Sequence, residues 1–164
     1  MVEQNHTEES LRSLIATVND PEVPAINVVE LGIVRSVTNS DGRVTVTLTP
    51  TYSGCPAMHM IEEEIRTVLL ENGLQSVEFL TVYSPAWTTD WIAEEAKMKL
   101  KRYGIAPPHA VSSSPVLQIE LPLVQCPHCD SKNTSVKSEF GSTACKSFYY
   151  CHNCHQPFEY FKSL

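Results

Sequence analysis

Apolar residues recur at helical spacing in three parts of the chain. A first helix is predicted to begin near Thr7 and to stop at Pro21, because apolar residues fall at i, i+3, i+4 and i+7: Leu11, Leu14, Ile15 and Val18. A second helix is predicted to end before Gly73, and its stripe consists of Met60, Ile61, Ile65, Val68 and Leu69. A third is predicted over residues 89–103, ending at Gly104, which suits a helix C-terminus.

Between these helices the apolar pattern has the period of two that is typical of strands. Residues 33–38 and 43–49 are predicted as a hairpin joined at Asp41-Gly42, because both central positions of a type I′ turn need positive φ. In the second strand Val and Leu alternate with Thr, which predicts one apolar and one hydroxyl-lined face. Residues 77–83 form a third strand. The predicted fold is a small α/β domain of order α-β-β-α-β-α, with a right-handed crossover between strands two and three.

A change of composition near Gly104 marks a domain boundary. Pro107-Pro108 and Ser112-Ser113-Ser114-Pro115 are typical of a linker, so we expect a first domain over residues 1–104 and a linker over 105–115. The remaining residues, 116–164, are predicted to form a zinc ribbon. Residues 116–124 alternate in polarity and would lead into it as a strand, which Pro122 restricts to a sheet edge.

Four cysteines in the last domain form two C-x2-C knuckles, Cys126–Cys129 and Cys151–Cys154, with 21 residues between them. Paired knuckles at about this separation let four thiolates surround one Zn2+, and the metal then replaces the core that so short a segment lacks. Iron held by the same thiolates and disulfide bonds are the two alternatives. The polar start of the chain predicts a reducing cytosol, which disfavours the disulfides.

The net charge of −7 excludes some partners. Residues 1–124 carry 8 Lys and Arg against 16 Asp and Glu, and residues 125–164 carry 4 against 3. Neither part offers the basic surface that phosphate neutralisation requires, so nucleic-acid binding is not expected. No stretch reaches the roughly 18 apolar residues of a membrane span, so a cytoplasmic protein is expected.

Cys55 is the candidate functional thiol. It lies in Tyr52-Ser53-Gly54-Cys55-Pro56, between the hydroxyl-lined strand and the second helix, with Pro56 expected at the first helical position. Unpaired backbone N–H groups and the helix dipole would stabilise its thiolate there. The alternative is that Cys55 is a small buried apolar residue.

Asp20 and Glu22 are the second candidate pair, in a loop stiffened by Pro21 and Pro24. Two carboxylates near a thiolate would raise its pKa by like-charge repulsion, so they would activate it poorly. They are better suited to binding a metal or to accepting hydrogen bonds from the neighbouring backbone. The alternative is a solvated turn that ends the first helix.

Five separated motifs give residues 8–104 a resemblance to the family of iron–sulfur cluster targeting and assembly factors, which includes SufT-like proteins. These motifs are Asp20-Pro21-Glu22-Val23-Pro24, Val29-Glu30-Leu31-Gly32-Ile33-Val34, Asp41-Gly42-Arg43-Val44, Gly54-Cys55-Pro56 and Pro85-Ala86-Trp87-Thr88. Together with the ribbon, which contains 139–146 and 157–162, the whole chain resembles the D subunits of bacterial phenylacetyl-CoA 1,2-epoxidase systems.

This resemblance implies an accessory maturation factor that is not itself an enzyme. It would assist assembly of an iron–sulfur or iron centre in a client, which would be the reductase component, with its [2Fe-2S] centre, or the oxygenase. Cys55 matches the family's reactive cysteine and Asp20 and Glu22 match its acidic motif, so Cys55 would hold iron or a cluster transiently. One thiolate is too few for a cluster, which suggests a homodimer or a client that supplies further ligands.

Two other functions stay open. The chain could be a non-catalytic subunit that remains bound to the oxygenase and reductase, or a thiol redox enzyme in which Cys145 resolves a disulfide with Cys55. An oxygenase is not expected, because the chain has no Glu-x-x-His motif for a di-iron site. Packing or solvated roles are expected for residues 62–64, Trp87, Trp91 and Cys145, and no zinc ligand is expected among the histidines near the knuckles.

Overall fold

The computed structural model describes residues 6–110 and 123–164. By its internal contacts the chain divides into two compact units, one ending at Trp87 and the other beginning at Thr88. The fold is mixed α/β, with three helices, a three-stranded sheet in the first unit and a second sheet in the C-terminal unit. The predicted fold class is therefore confirmed.

The first helix, α1, spans Glu8–Ile15 and is capped by Thr7, whose hydroxyl accepts a hydrogen bond from the Ser10 N–H at 3.2 Å. Leu11 and Ile15 of the predicted stripe are fully buried. The helix ends before the predicted stop at Pro21. After Ile15 the chain continues as a 3-10 turn, in which the N–H groups of Thr17 and Val18 donate to the carbonyls three residues before them. This turn still buries Val18.

Three strands form the sheet of the first unit: β1 Val34–Ser40, β2 Arg43–Leu48 and β3 Ser76–Thr81. Their order is β1-β2-β3, antiparallel for the first pair and parallel for the second. Asp41 and Gly42 both have positive φ, 52° and 81°, which confirms the predicted hairpin turn. Val44, Val46 and Leu48 are buried, so the apolar face of β2 lies in the core as predicted.

Helix α2, Ala57–Glu71, connects the parallel strands β2 and β3. Ile61, Ile65 and Leu69 are fully buried, whereas Met60 of the predicted stripe is 54% exposed. Pro56 is the N-cap, one residue before the predicted position.

Trp87 is the last residue of the first unit. It is buried, and its indole N–H donates to the Leu31 carbonyl at 3.1 Å. A buried indole with a satisfied N–H has a packing role, as expected.

The second unit begins with a single 3-10 turn, Thr89–Trp91, followed by helix α3, Glu94–Tyr103. Four strands follow: β4 Ile105–Ala106, β5 Thr134–Ser138, β6 Lys146–Cys151 and β7 Pro157–Phe161. Their order is β4-β7-β6-β5; β4 runs parallel to β7, and the other pairs are antiparallel. The core beneath this sheet combines aromatic rings with ligand cysteines: Tyr149, Phe158, Tyr160, Cys126 and Cys151.

Three features of the chain from residue 88 onward differ from the sequence predictions. The helix predicted over 89–103 is interrupted, because Ile92 and Ala93 adopt extended backbone; its end at Gly104 is confirmed by that residue's φ of 93°. The predicted linker begins with β4, whose pairing with β7 makes residues 105 and 106 part of the sheet. Of the strand predicted over 116–124, residues 116–122 lie outside the described residues, and 123 and 124 are not in a strand.

These differences bear on the division between the units, and the boundary at Gly104 stays a prediction. We predicted the boundary at Gly104, whereas the internal contacts place α3 and β4 with the C-terminal ribbon, from Thr88 onward. The physical reason is local: α3 leads directly through Gly104 into β4, and β4 hydrogen-bonds to β7.

An ion pair holds the loop between β5 and β6. The ammonium of Lys146, only 3% exposed, lies 3.0 Å from the carboxylate of Glu159 on β7. The other Glu159 oxygen accepts a hydrogen bond from the Ser142 N–H at 2.6 Å. Burial opposes ionisation of Glu159, but the Ser142 N–H and Lys146 outweigh it and lower the pKa of that carboxyl.

Candidate thiol site and metal centre

The two knuckles bring four sulfur atoms together. The Sγ atoms of Cys126, Cys129, Cys151 and Cys154 all lie within 4.8 Å of one another. Cys126 and Cys154 are 3.7 Å apart and Cys129 and Cys151 are 3.6 Å apart, far beyond a disulfide bond of about 2.05 Å. Zn–S bonds of about 2.3 Å place the sulfurs of a tetrahedron about 3.8 Å apart. The set therefore fits a tetrahedral thiophilic metal ion, and all four cysteines are free of disulfides.

The electrostatics of these sulfurs also favour a bound cation. Burial raises the pKa of Cys126 to about 12, while the Cys154 N–H, which points at the Cys151 sulfur, lowers the pKa of Cys151 to about 6. Four neighbouring thiolates cannot all ionise without a compensating positive charge. A divalent cation supplies that charge, so metal binding and deprotonation are linked.

No histidine belongs to this group of metal-ligating atoms among the described residues. His152 and Ser135 are hydrogen-bonded at 2.9 Å, and His155 lies 3.3 Å from the Tyr150 hydroxyl.

Cys145 is also outside the group of metal-ligating cysteines. It is buried, 4% exposed, and its sulfur lies 3.1 Å from the Thr143 hydroxyl, in agreement with the expected packing role.

Cys55 lies in the loop that joins β2 to α2, and it is half-buried. Gly54 before it has φ of 80°, and a Cβ there would meet no atom within 4 Å. This position thus requires glycine for its backbone conformation, and the space beside it is open. The Cys55 N–H donates to the Tyr52 carbonyl at 3.3 Å, which closes a turn directly before α2.

The pKa of Cys55 shifts in the direction opposite to the one that a helix N-terminus predicts. Burial raises the pKa of the Cys55 thiol, and the carboxylates of Glu22 and Asp20 raise it further. The Ala57 N–H at the start of α2 lowers this pKa, as expected of a helix N-terminus, but burial outweighs it. The surroundings of Cys55 therefore favour the thiol over the thiolate that a helix N-terminus alone would stabilise.

The structure brings the two sets of candidate residues, Cys55 and the pair of Asp20 and Glu22, close to each other. Glu22 and Asp20 are close enough to Cys55 for their charges to act on its sulfur. Asp20 is buried, 6% exposed, and one of its oxygens accepts hydrogen bonds from the N–H groups of Glu22 and Val23, both at 2.8 Å. Backbone hydrogen bonds between Asp20 and Ile26, and between Val18 and Val28, close the loop. Asp20 therefore shapes the loop that carries Glu22.

Sequence reasoning missed Tyr52 as a member of this site. Its side chain hydrogen-bonds to the Cys55 sulfur and lowers the pKa of that thiol. Its position three residues before Cys55 is the one available signal, because that spacing lets a turn bring the two side chains together. Thr49 was also not singled out; it is 1% exposed directly after β2, and its hydroxyl has no hydrogen-bond partner among the described residues.

Two family models match this chain. The model described as "Iron-sulfur cluster assembly protein" matches residues 8–78, which include Asp20, Glu22 and Cys55. The model described as "PaaD zinc beta ribbon domain" matches residues 112–162, which include the four clustered cysteines.

Curated relatives cover either most of the chain or a little more than half of it. A protein of Escherichia coli K12, named as the candidate D subunit of 1,2-phenylacetyl-CoA epoxidase, is 43% identical over 93% of this chain and 90% of its own length. An "Fe-S protein maturation auxiliary factor" of Porphyromonas gingivalis is 40% identical over 57% of this chain and 90% of its own length.

Solved structures resemble a little more than half of the chain. The crystal structure of a domain of unknown function from Bacillus anthracis is 30% identical, covers 57% of this chain and 90% of that domain, and has a TM-score of 0.54. Within the described residues, no helix combines the length and apolarity needed to cross a bilayer.

Proposed function

This chain belongs to the family of phenylacetyl-CoA epoxidase D subunits, and from that membership we propose that it is an accessory maturation factor. It assists assembly of an iron–sulfur or iron centre in a client component of a multicomponent epoxidase, either the reductase or the oxygenase. The observation that carries this proposal is the half-buried Cys55 thiol beside the carboxylates of Glu22 and Asp20.

This arrangement suits transient handling of a cation. A thiol with a raised pKa keeps its proton until a metal ion displaces it, and the nearby carboxylates attract that ion. Binding then forms one metal–sulfur bond at Cys55 and releases one proton. Because Asp20 is engaged by backbone N–H groups, Glu22 is the more available carboxylate ligand. Among the described residues only the four ribbon cysteines bring three or more ligand atoms within 4.8 Å of one another. Cys55 thus has fewer protein ligands beside it than the about four that hold a cluster permanently, which favours passing the cargo on.

The four cysteines of the ribbon have a different role in this proposal. They hold a structural Zn2+, which supplies the organising centre of a domain with a small core. All four positions of the tetrahedron are occupied by protein sulfur, so no open position is left for a substrate.

The test is the cluster content of the client. The reductase is expressed alone, with the wild-type chain, with Cys55→Ala, and with Cys145→Ser as the matched control for loss of a cysteine outside the metal group. We expect the [2Fe-2S] absorption per reductase polypeptide to fall with no partner and with Cys55→Ala, and to be kept with wild type and Cys145→Ser. Equal occupancy in all four samples would reject a maturation role for this centre.

The alternative function is that of a structural subunit. Phe140 and Phe148 of the ribbon, whose side chains are 66% and 38% exposed, favour it as docking residues. The same experiment separates the two functions. If Cys55→Ala gives full occupancy and the chain co-purifies with the complex at a fixed ratio, a structural subunit is favoured. A thiol redox enzyme is disfavoured because Cys145, the expected resolving thiol, is buried.

A further inference from the structure

The two edges of the sheet in the first unit differ in the charges along their strands, although an arginine covers the start of each. At the β1 edge the guanidinium of Arg12 donates to the carbonyls of Val34 and Arg35, at 3.4 and 3.0 Å. At the other edge, β3 contacts only β2 and α2 among the described elements. Unpaired strand edges are templates for pairing with another chain. β1 carries the exposed Arg35 whereas β3 carries no charge after Glu78, so β3 is the edge that invites a partner.

The hydrogen bonds between β2 and β3 show which backbone groups of β3 point outward. The N–H groups of Ser76 and Val82 donate to the carbonyls of Gly42 and Leu48, at 3.4 and 2.9 Å. In a parallel ladder, alternate residues of a strand bond to the same neighbour. Because the even-numbered residues face β2, residues 77, 79, 81 and 83 direct their N–H and C=O groups away from it.

Part of this outer edge is already closed. The carbonyl of Val77 accepts a hydrogen bond from Arg66 at 2.7 Å. The open part therefore runs from Phe79 to Tyr83, and it exposes large apolar surface: Leu80 is 53% and Tyr83 61% exposed. Edge strands are usually protected by charges or proline, and residues 79–83 contain neither.

The structure assigns this edge to a second copy of the chain, paired antiparallel about a two-fold axis at Thr81. In that register Thr81 lies opposite its own copy, Phe79 opposite Tyr83, and Leu80 opposite Val82. The cross-strand pairs are aromatic with aromatic and apolar with apolar, which stabilise sheets. Glu78 faces Ser84, so no two like charges lie directly opposite each other.

Charge favours this site for self-association over the rest of the surface. Two copies of a chain with a net charge of −7 repel each other, so they approach best where their surfaces carry no charge. Residues 79–89 contain no charged side chain, and the Arg66 guanidinium, which lies 5.0 Å from the centre of the Phe79 ring, is a cation that does not add to the negative charge. Closed two-fold pairing is also the commonest form of homo-oligomer.

The first test is the mass of the protein in solution by sedimentation from dilute to near-millimolar concentration. We expect the wild-type mass to rise from 18.3 kDa toward twice that value. Leu80→Lys should weaken the dimer about tenfold or more, because it places a charge in the apolar pairs. Thr38→Lys, an equal charge change at an exposed residue of β1, should leave it unchanged.

A backbone variant tests the hydrogen bonds themselves. Thr81→Pro removes an N–H that points away from β2, so it should abolish the dimer while far-UV circular dichroism shows an intact fold. Thr81→Val keeps that N–H and should retain the dimer. If Thr81→Pro does not fold, Leu80→Lys and its control still decide the outcome.

Cross-linking tests the register. Paired residues on a two-fold axis have Cα atoms about 5.5 Å apart, within the disulfide range, so Thr81→Cys in a Cys55→Ser background should link two chains on air oxidation. Thr38→Cys should not. A wild type that stays monomeric at every concentration, or a dimer that survives both Leu80→Lys and Thr81→Pro, would overturn the proposal.

Discussion

At the scale of single residues, the chemistry of Cys55 is decided by competition between neighbours. A helix N-terminus favours the thiolate, and the Ala57 N–H does act in that direction, but burial and the carboxylates of Glu22 and Asp20 act more strongly in the other. A sequence shows that a helix follows Cys55. It does not show how deeply the sulfur is buried or which acidic side chains reach it, since both depend on the tertiary fold.

Two substitutions should move the pKa of Cys55 in opposite directions. Glu22→Gln removes a negative charge that raises this pKa, so the thiol should ionise at lower pH; Tyr52→Phe removes a hydrogen bond that lowers it, so the thiol should ionise at higher pH. The measurement is the rate of alkylation of Cys55 by iodoacetamide against pH, followed by mass spectrometry of the peptide. Because the thiolate is the nucleophile, the rate reports its fraction directly.

Glu64→Gln provides the control for this pair, since Glu64 is exposed on α2 and does not act on Cys55. We expect its alkylation profile to match that of the wild type. A profile of Glu22→Gln that coincides with the wild type would show that the acidic loop does not reach the thiol electrostatically.

At the scale of elements, the helices and strands with clear periodicity were predictable and the loops were not. The hairpin turn followed from Asp41-Gly42, because few other dipeptides accept positive φ twice. The predicted end of α1 is too late. Val18 continues the apolar period of the helix, but the 3-10 turn that follows α1 is what buries it. The loop over residues 19–32 has no period at all. Backbone hydrogen bonding was one of the two roles predicted for Asp20, whereas nothing in the pattern predicts the capping by Asn27.

The acidic loop should depend on Asp20 as a hydrogen-bond acceptor more than as a charge. Asp20→Ala leaves the N–H groups of Glu22 and Val23 without their partner, and we expect a loss of about 2 kcal/mol in the free energy of unfolding. Asp20→Asn keeps an acceptor oxygen, so its cost should be less than half of that. Urea unfolding gives the two energies, and hydrogen exchange of a peptide covering 20–28 shows whether the loss is local.

Equal destabilisation by alanine and asparagine would mean that the charge of Asp20, rather than its geometry, stabilises the loop. That result would also favour a metal-binding role for Asp20 in the proposed function over a role in shaping the loop, because an anionic carboxylate attracts a cation.

At the scale of the whole molecule, two units of different construction share one chain. The first has a large aliphatic core formed by α1, α2 and the sheet, whereas the core of the second is mostly aromatic and cysteine. Composition shows part of this contrast, because both knuckles and seven of the 13 aromatic residues lie after residue 125. It did not place the division, since a proline- and serine-rich segment resembles a linker whether or not the helix before it belongs to the ribbon.

Removal of the metal should therefore unfold part of the chain and reveal where the division lies. Four thiolates without a cation repel one another, so a chelator should abolish hydrogen-exchange protection in β5, β6 and β7 while the sheet of β1, β2 and β3 keeps it. Helix α3 is the informative element. Because it leads into β4, which bonds to β7, we expect Glu94–Tyr103 to lose protection together with the ribbon. If α3 instead stays protected with the first unit, the boundary at Gly104 holds; addition of Zn2+ should restore the original pattern in either case.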